Sequence, residues 1–233
     1  GLNPFKGDAS LYLKGCVPFN AFDYNRGVGK RGHLFVIAAP SGAGKTSLMR
    51  ALMQKRPSVE FSVSCTTRAP RAHERDGHDY HFISRDEFER LIAAGEFIEH
   101  ADVFGNLYGT RRSVVAAALA EGRDLVLDID WQGACQVRER LPEAVHVFIL
   151  PPSRAELERR LRKRATDSAE AIARRLAESV VEMAHWREFD YIVVNRDFDQ
   201  ALAEFEAIFD GHGEASRPDR PELAALVQEL IGT

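Results

Sequence analysis

Short apolar runs alternate with helical periods through most of this chain. Leu34-Phe35-Val36-Ile37-Ala38 is unbroken apolar and predicts a buried strand, followed by a helix to about Lys55. Phe61-Ser62-Val63-Ser64 predicts a short strand, and Tyr80-His81-Phe82-Ile83 another. Ser84 with Glu87 three residues on has the form of a capping box and opens a helix. Glu96 to Ala101 and Asn106 to Gly109 predict further strands, and Ser113 opens a helix that stops at Gly122. Leu125 to Asp130 and Val145 to Leu150 are apolar strands, the first ending in carboxylates. A charged helix to about Arg164, a break at 165–168, a longer helix from Ala169 to about Glu188, a strand at Tyr191 to Val194 and a helix from Phe198 to Ile208 complete the pattern. Such alternation predicts an α/β fold, a parallel sheet covered by helices on both faces.

Both ends differ. Residues 1–31 carry turn signals and no sustained period, and predict a poorly ordered extension outside the active site. After Gly211 a polar linker leads to a short apolar helix, Glu222 to Ile231, so 212–233 reads as linker and tail.

The chain has 233 residues, 45% hydrophobic and 28% charged, which suits a globular unit with a core and a smaller insert. A formal net charge of -4 gives no basic field for a nucleic acid polymer. No apolar stretch is long enough to span a bilayer. Cys16, Cys65 and Cys135 are odd in number and lack paired spacing, and no signal-peptide pattern opens the chain. These features predict free thiols in a reducing cytoplasm. Oligomeric state is not legible.

The strongest chemical signal is Ala39-Pro40-Ser41-Gly42-Ala43-Gly44-Lys45-Thr46-Ser47, set between the first strand and the first helix. That context defines a P-loop. Its glycines let backbone N–H groups converge on phosphate oxygens, and the helix N-terminus adds attraction. Lys45 would reach the β- and γ-phosphates of ATP, and the Thr46 hydroxyl would face Mg²⁺. Arg68 and Arg71 flank a proline and could grip a phosphate dianion; taken alone, they read better as a solvated loop. Tyr80 and Tyr108 each follow turn residues and could donate O–H groups to that phosphate, although a lone tyrosine is more often core. Glu99 could accept from N1–H and the 2-amino group of guanine; by itself it reads as a surface carboxylate. Asp128 ends a strand beside the P-loop and suits either a Mg²⁺ water, the acceptor phosphate, or a plain turn.

Together, APSGAGKTSL, FSVSCTTRAPR, GxDYxF, GEFIEHA, GxxYGT and LVLDIDWQGA make residues 32–211 similar to the guanylate kinase family. The resemblance implies transfer of a phosphoryl group from Mg-ATP to GMP or dGMP, within a core, a GMP-binding insert near 65–111 and a lid near 155–180. It implies guanine contacts at Ser64, Glu99 and Thr110, and a phosphate clamp of Arg68, Arg71, Tyr80 and Tyr108. It places Asp128 in the GMP site, Asn195 on the adenine side, and Arg160, Arg164 and Arg175 at the transferring phosphoryl group. A rival reading, a domain of this fold that binds phosphopeptides without catalysis, fits poorly with an intact Gly44-Lys45-Thr46. A kinase of the same fold acting on a phosphorylated sugar would not use the Glu99 and Ser64 pair.

Overall fold

The computed structural model of the chain describes residues 31–103, 105–163 and 169–232. Its strands are β1 (Leu34–Ala38), β2 (Val59–Phe61), β3 (Cys65–Thr66), β4 (His81–Phe82), β5 (Phe97–Val103), β6 (Asn106–Arg111), β7 (Asp124–Asp128), β8 (Val145–Leu150) and β9 (Tyr191–Val194). Its helices are α1 (Lys45–Lys55), α2 (Arg85–Ala93), α3 (Arg112–Ala120), α4 (Trp131–Arg140), α5 (Arg154–Lys163), α6 (Ala169–Ala184), α7 (Phe198–Phe209) and α8 (Pro221–Ile231).

Five strands form a parallel sheet in the order β2-β7-β1-β8-β9. Successive β1 side chains point to opposite faces, yet all are buried, because helices cover both sides. Leu34, Val36 and Ala38 join α3, α4, α5, α6 and α8 in the larger core. Phe35 and Ile37 join α1 and α7 in the other. A second sheet, β4-β3-β6-β5, is mixed: β3 pairs β4 in parallel and β6 antiparallel, and β5 pairs β6 antiparallel. A small core of Cys65, Phe88 and Phe97 lies under α2.

Three expectations change. The strand expected at 61–64 is divided. Phe61 ends β2 in the first sheet, Ser62 donates its amide to Val126 O at 3.0 Å, and the chain then crosses to the second sheet. The helix expected to reach Glu188 stops at Ala184, and a 3-10 turn at Trp186–Glu188 drives Trp186 into the larger core. The tail is more than a linker and a short helix. Leu223, Leu226, Val227 and Leu230 of α8 are buried in the larger core, and Arg220 donates to Ile192 O at 2.7 Å. Truncating one such leucine costs about 2–5 kcal/mol in a packed core, so α8 belongs to the folded unit. Of the extension expected at 1–31, Arg31 pairs with Glu143 at 3.5 Å; the rest lies outside the described residues.

Candidate active site

The parallel sheet sets the phosphate end of the site. β1 lies between β7 and β8, so the loop leaving β1 opens beside the end of β7, where Ile37 is in register with Asp128. The loop turns through Gly42 at φ 92 and Gly44 at φ 101, a region closed to most side chains. A Cβ on Gly44 would also stand 2.2 Å from Asn195 Nδ2. Gly44 caps α1, and no acidic residue occupies the first turn of that helix. Lys45 pairs with Asp128 and donates to Ile129 O at 3.4 Å. Asn195 is buried after β9 and donates Nδ2 to Ala43 O at 2.7 Å. Arg160 of α5 donates to Ala43 O and to Asn195 O, each at 3.1 Å, while Glu156 orients it. Ser47, Arg159, Arg160, Asn195 and Phe198 line a cleft of about 470 Å³ on this outer side of the loop.

The second sheet sets the opposite end. Pairing of β5 with β6 places Glu99 in register with Thr110, and Ala101 with Tyr108. Pairing of β3 with β6 brings in Ser64, whose Oγ lies 3.3 Å from Thr110 Oγ1. Glu99 is only 2% exposed, and its Oε1 has no hydrogen-bond partner among the described residues. Burial pushes its carboxyl up to about 7, against hydrogen bonds from Thr110 that favour the ionised form. Tyr80 and Tyr108 meet edge to face, with ring centroids 5.8 Å apart. Arg68 lies over the Tyr80 ring at 5.5 Å, and its Nη2 donates to both Glu74 oxygens at 2.8 and 2.9 Å. The Arg71 amide donates to the same Glu74 at 2.7 Å, while the Arg71 guanidinium is 66% exposed.

One cavity of about 320 Å³ joins the two ends. The P-loop from Ala39 to Thr46, save Ala43, lines it together with Ser64, Tyr80, Glu99, Tyr108 and Asp128. Thr110 stands behind Glu99, and Arg68 and Arg71 lie outside the lining. Arg175 is half-buried on α6 and does not line this cavity, and Arg164 lies outside the described residues.

Two carboxylates in the lining carried no assignment from sequence. Asp130, just past β7, caps α4 by accepting from the Gly133 amide at 2.8 Å, and burial raises its pKa. Glu182 of α6 reaches the cavity too. Burial pushes it to about 7, opposed by nearby Lys45 and by the Ser41 amide, and its Oε2 has no partner among the described residues. The available signal was an acidic residue beside Met183 and three places after Ser179, on the buried side of an amphipathic helix.

Fold and cavity define a P-loop nucleotide-binding protein with a second recognition end. The family model described as guanylate kinase matches residues 31–212, and the chain belongs to that family. A guanylate kinase of Alkalilimnicola ehrlichii is 55% identical over 201 residues, covering 86% of this chain and 99% of the relative. One from Idiomarina loihiensis is 55% identical over 203 residues, covering 86% and 97%. The crystal structure of guanylate kinase from Anaplasma phagocytophilum superposes with a TM-score of 0.63 at 33% identity, covering 86% of this chain and 95% of that one. No helix among the described residues is long and apolar enough to cross a membrane.

Proposed function

We propose that this chain transfers the γ-phosphoryl group of ATP to GMP, giving ADP and GDP, and that Glu99 reads the guanine base. The observation that carries the assignment is the shared cavity. A buried carboxylate, one oxygen of which has no partner among the described residues, faces the same space as Lys45 and the P-loop. Guanine offers N1–H and a 2-amino group as adjacent donors, which an ionised Glu99 can accept together. Adenine lacks that pair and would leave the carboxylate unpaired.

The attacking group is a phosphate oxygen of GMP, already ionised at neutral pH, so no side chain has to remove a proton. Catalysis then rests on alignment and on charge placed where it develops. Lys45 is held by Asp128 and Ile129 O beside the P-loop, and its move onto the phosphates exchanges one anionic partner for another. Arg68 and Arg71 supply guanidinium groups for the GMP phosphate, with Tyr80 and Tyr108 beside them. Arg160, Arg164 and Arg175 keep the lid role that the family resemblance implies. Arg160 already sits on the P-loop carbonyl of Ala43. Asn195 shares that carbonyl, which supports a place on the adenine side.

The oxygen donors of Thr46 and Asp128 suit a hard cation carried in with ATP, and the described residues hold no cluster of three or more acidic, His or Cys ligands. Mg²⁺ bound there would supply charge neutralisation at the β- and γ-phosphate oxygens.

The test is ADP formation from Mg-ATP by the purified chain with GMP, AMP, CMP or UMP offered separately. Turnover confined to GMP is expected. Tight GMP binding with no turnover on any nucleotide would overturn the kinase assignment in favour of a binding module.

A further inference from the structure

Gly133 is a buried residue in the first turn of α4, and its backbone conformation is one that any residue adopts in a helix. Glycine is a poor helix former, so neither backbone geometry nor helix propensity accounts for it there. Its surroundings do. A Cβ at this position would stand 2.8 Å from Glu99 Oε2, and 3.3 Å from both Asp130 Oδ1 and Ile129 Cδ1. The Glu99 carboxylate therefore occupies the space that a side chain of residue 133 would take.

The helix has no room to retreat. The Gln136 side chain bonds both backbone groups of His100, accepting from its amide at 3.2 Å and donating to its carbonyl at 2.7 Å. Arg140 donates to Ile98 O. These contacts pin α4 to β5 on both sides of Glu99, and Thr110 flanks the same carboxylate across the sheet. An added Cβ at 133 must displace the Glu99 carboxylate most, with Asp130 Oδ1 and Ile129 Cδ1 giving by a few tenths of an ångström.

We propose that Gly133 is a specificity-determining positioning residue: the space of its missing side chain seats the Glu99 carboxylate where both oxygens can accept from the guanine edge. This rests on the assignment of Glu99 as the base reader. The cost of a methyl group at 133 falls mainly on recognition, because the closest displaced atom is the end of the Glu99 side chain, while the contacts to Asp130 and Ile129 are only slightly tight.

The experiment compares wild type, Gly133→Ala, Glu99→Gln, Glu99→Asp and Gly133→Ala/Glu99→Asp, using GMP and inosine monophosphate, which lacks the 2-amino group. For Gly133→Ala we expect KM for GMP to rise about tenfold and the preference for GMP over inosine monophosphate to fall in proportion. The kcat and the KM for Mg-ATP should stay within about twofold, and thermal stability should hold or rise. A shortened carboxylate relieves the crowding, so the double variant should lose less than the product of its two single variants. An unchanged preference in Gly133→Ala, with Glu99→Gln destroying it, would overturn the role of Gly133 and leave the base assignment standing. An unchanged preference in Glu99→Gln would overturn both. If Gly133→Ala fails to fold, recovery of folding and partial GMP preference in the double variant supports the proposal; continued misfolding overturns it.

Discussion

The two ends of the cavity are built and balanced in opposite ways. The phosphate end is one continuous loop, residues 39–46, and its lysine is paired: Lys45 meets Asp128 and donates to Ile129 O, while Glu182 beside the loop keeps an Oε2 without a partner among the described residues. The base end is assembled from separate strands, with Ser64 and Thr110 46 residues apart in sequence. Its carboxylate is only partly satisfied: Thr110 donates to buried Glu99, whose Oε1 has no hydrogen-bond partner among the described residues. A satisfied lysine can hand itself to any triphosphate, which suits a generic donor. A partly satisfied buried carboxylate is relieved only by a ligand with the right donors, which suits a selective acceptor site.

The largest break in this comparison is Lys45→Ala. In the proposed reaction it should lower kcat by roughly 10³-fold or more, while equilibrium GMP binding stays near wild type, because the base end does not depend on it. Equal losses in both measurements would mean that the substitution disturbs the shared cavity and that the ends are not separable.

Glu99→Gln attacks the other end. It should lower kcat/KM for GMP about 10²-fold and leave the KM for Mg-ATP unchanged. The same substitution should raise thermal stability above pH 7. Burial raises the folded pKa of Glu99 above the unfolded value of 4.5 to about 7. Its contribution to stability is therefore full below 4.5 and lost as pH rises through 7. A neutral amide escapes that loss, worth on the order of 3 kcal/mol. Melting curves at pH 8 that show no gain would mean that Glu99 is better solvated than its burial implies.

The difference in construction also explains what the sequence disclosed. The P-loop was legible because a strand, a glycine turn and a helix start are local patterns. The parallel core was legible for the same reason: apolar runs of strand length announced β1, β7, β8 and β9 in turn. The proposed base end was suggested only by family resemblance, since no local pattern places Glu99 opposite Thr110, and nothing in the sequence placed Gly133 beside Glu99. Glu182 was missed because one carboxylate on an amphipathic helix looks like any other until the fold turns it toward the P-loop. The tail helix α8 was seen as a helix but not as core, because its partners on α5 and α6 are remote in sequence.

A pH profile sharpens the comparison with a smaller effect. In the proposed reading ionised Glu99 is the form that accepts from guanine, so kcat/KM for GMP should fall about tenfold per unit as pH drops below about 7. Asp130 beside it and Glu182 across the cavity are also raised by burial. The assignment is therefore made by variants. Glu99→Gln should flatten this limb, whereas Glu182→Gln should retain it. The reverse result would transfer the limb to the phosphate end.

The smallest effect concerns the carboxylate that contrasts most with Glu99. Glu74 accepts two bonds from Arg68 and one from the Arg71 amide, and the Arg68 guanidinium holds its carboxyl down at about 2. Its contribution to stability is present above the unfolded pKa of 4.5 and is lost only as pH falls through about 2, so it stays ionised across the working range. Glu74 therefore acts as a fixed strut and not as a reader: it aims Arg68 and ties the loop at Arg71, leaving the base untouched. Glu74→Gln keeps an acceptor but removes the charge that aligns the guanidinium. In the proposed clamp, KM for GMP should rise about three- to tenfold with kcat nearly unchanged. The preference for GMP over inosine monophosphate should not move at all. A fall in KM would mean that Glu74 competes with the substrate phosphate for Arg68. A changed base preference would mean that the clamp and the guanine edge are mechanically one unit.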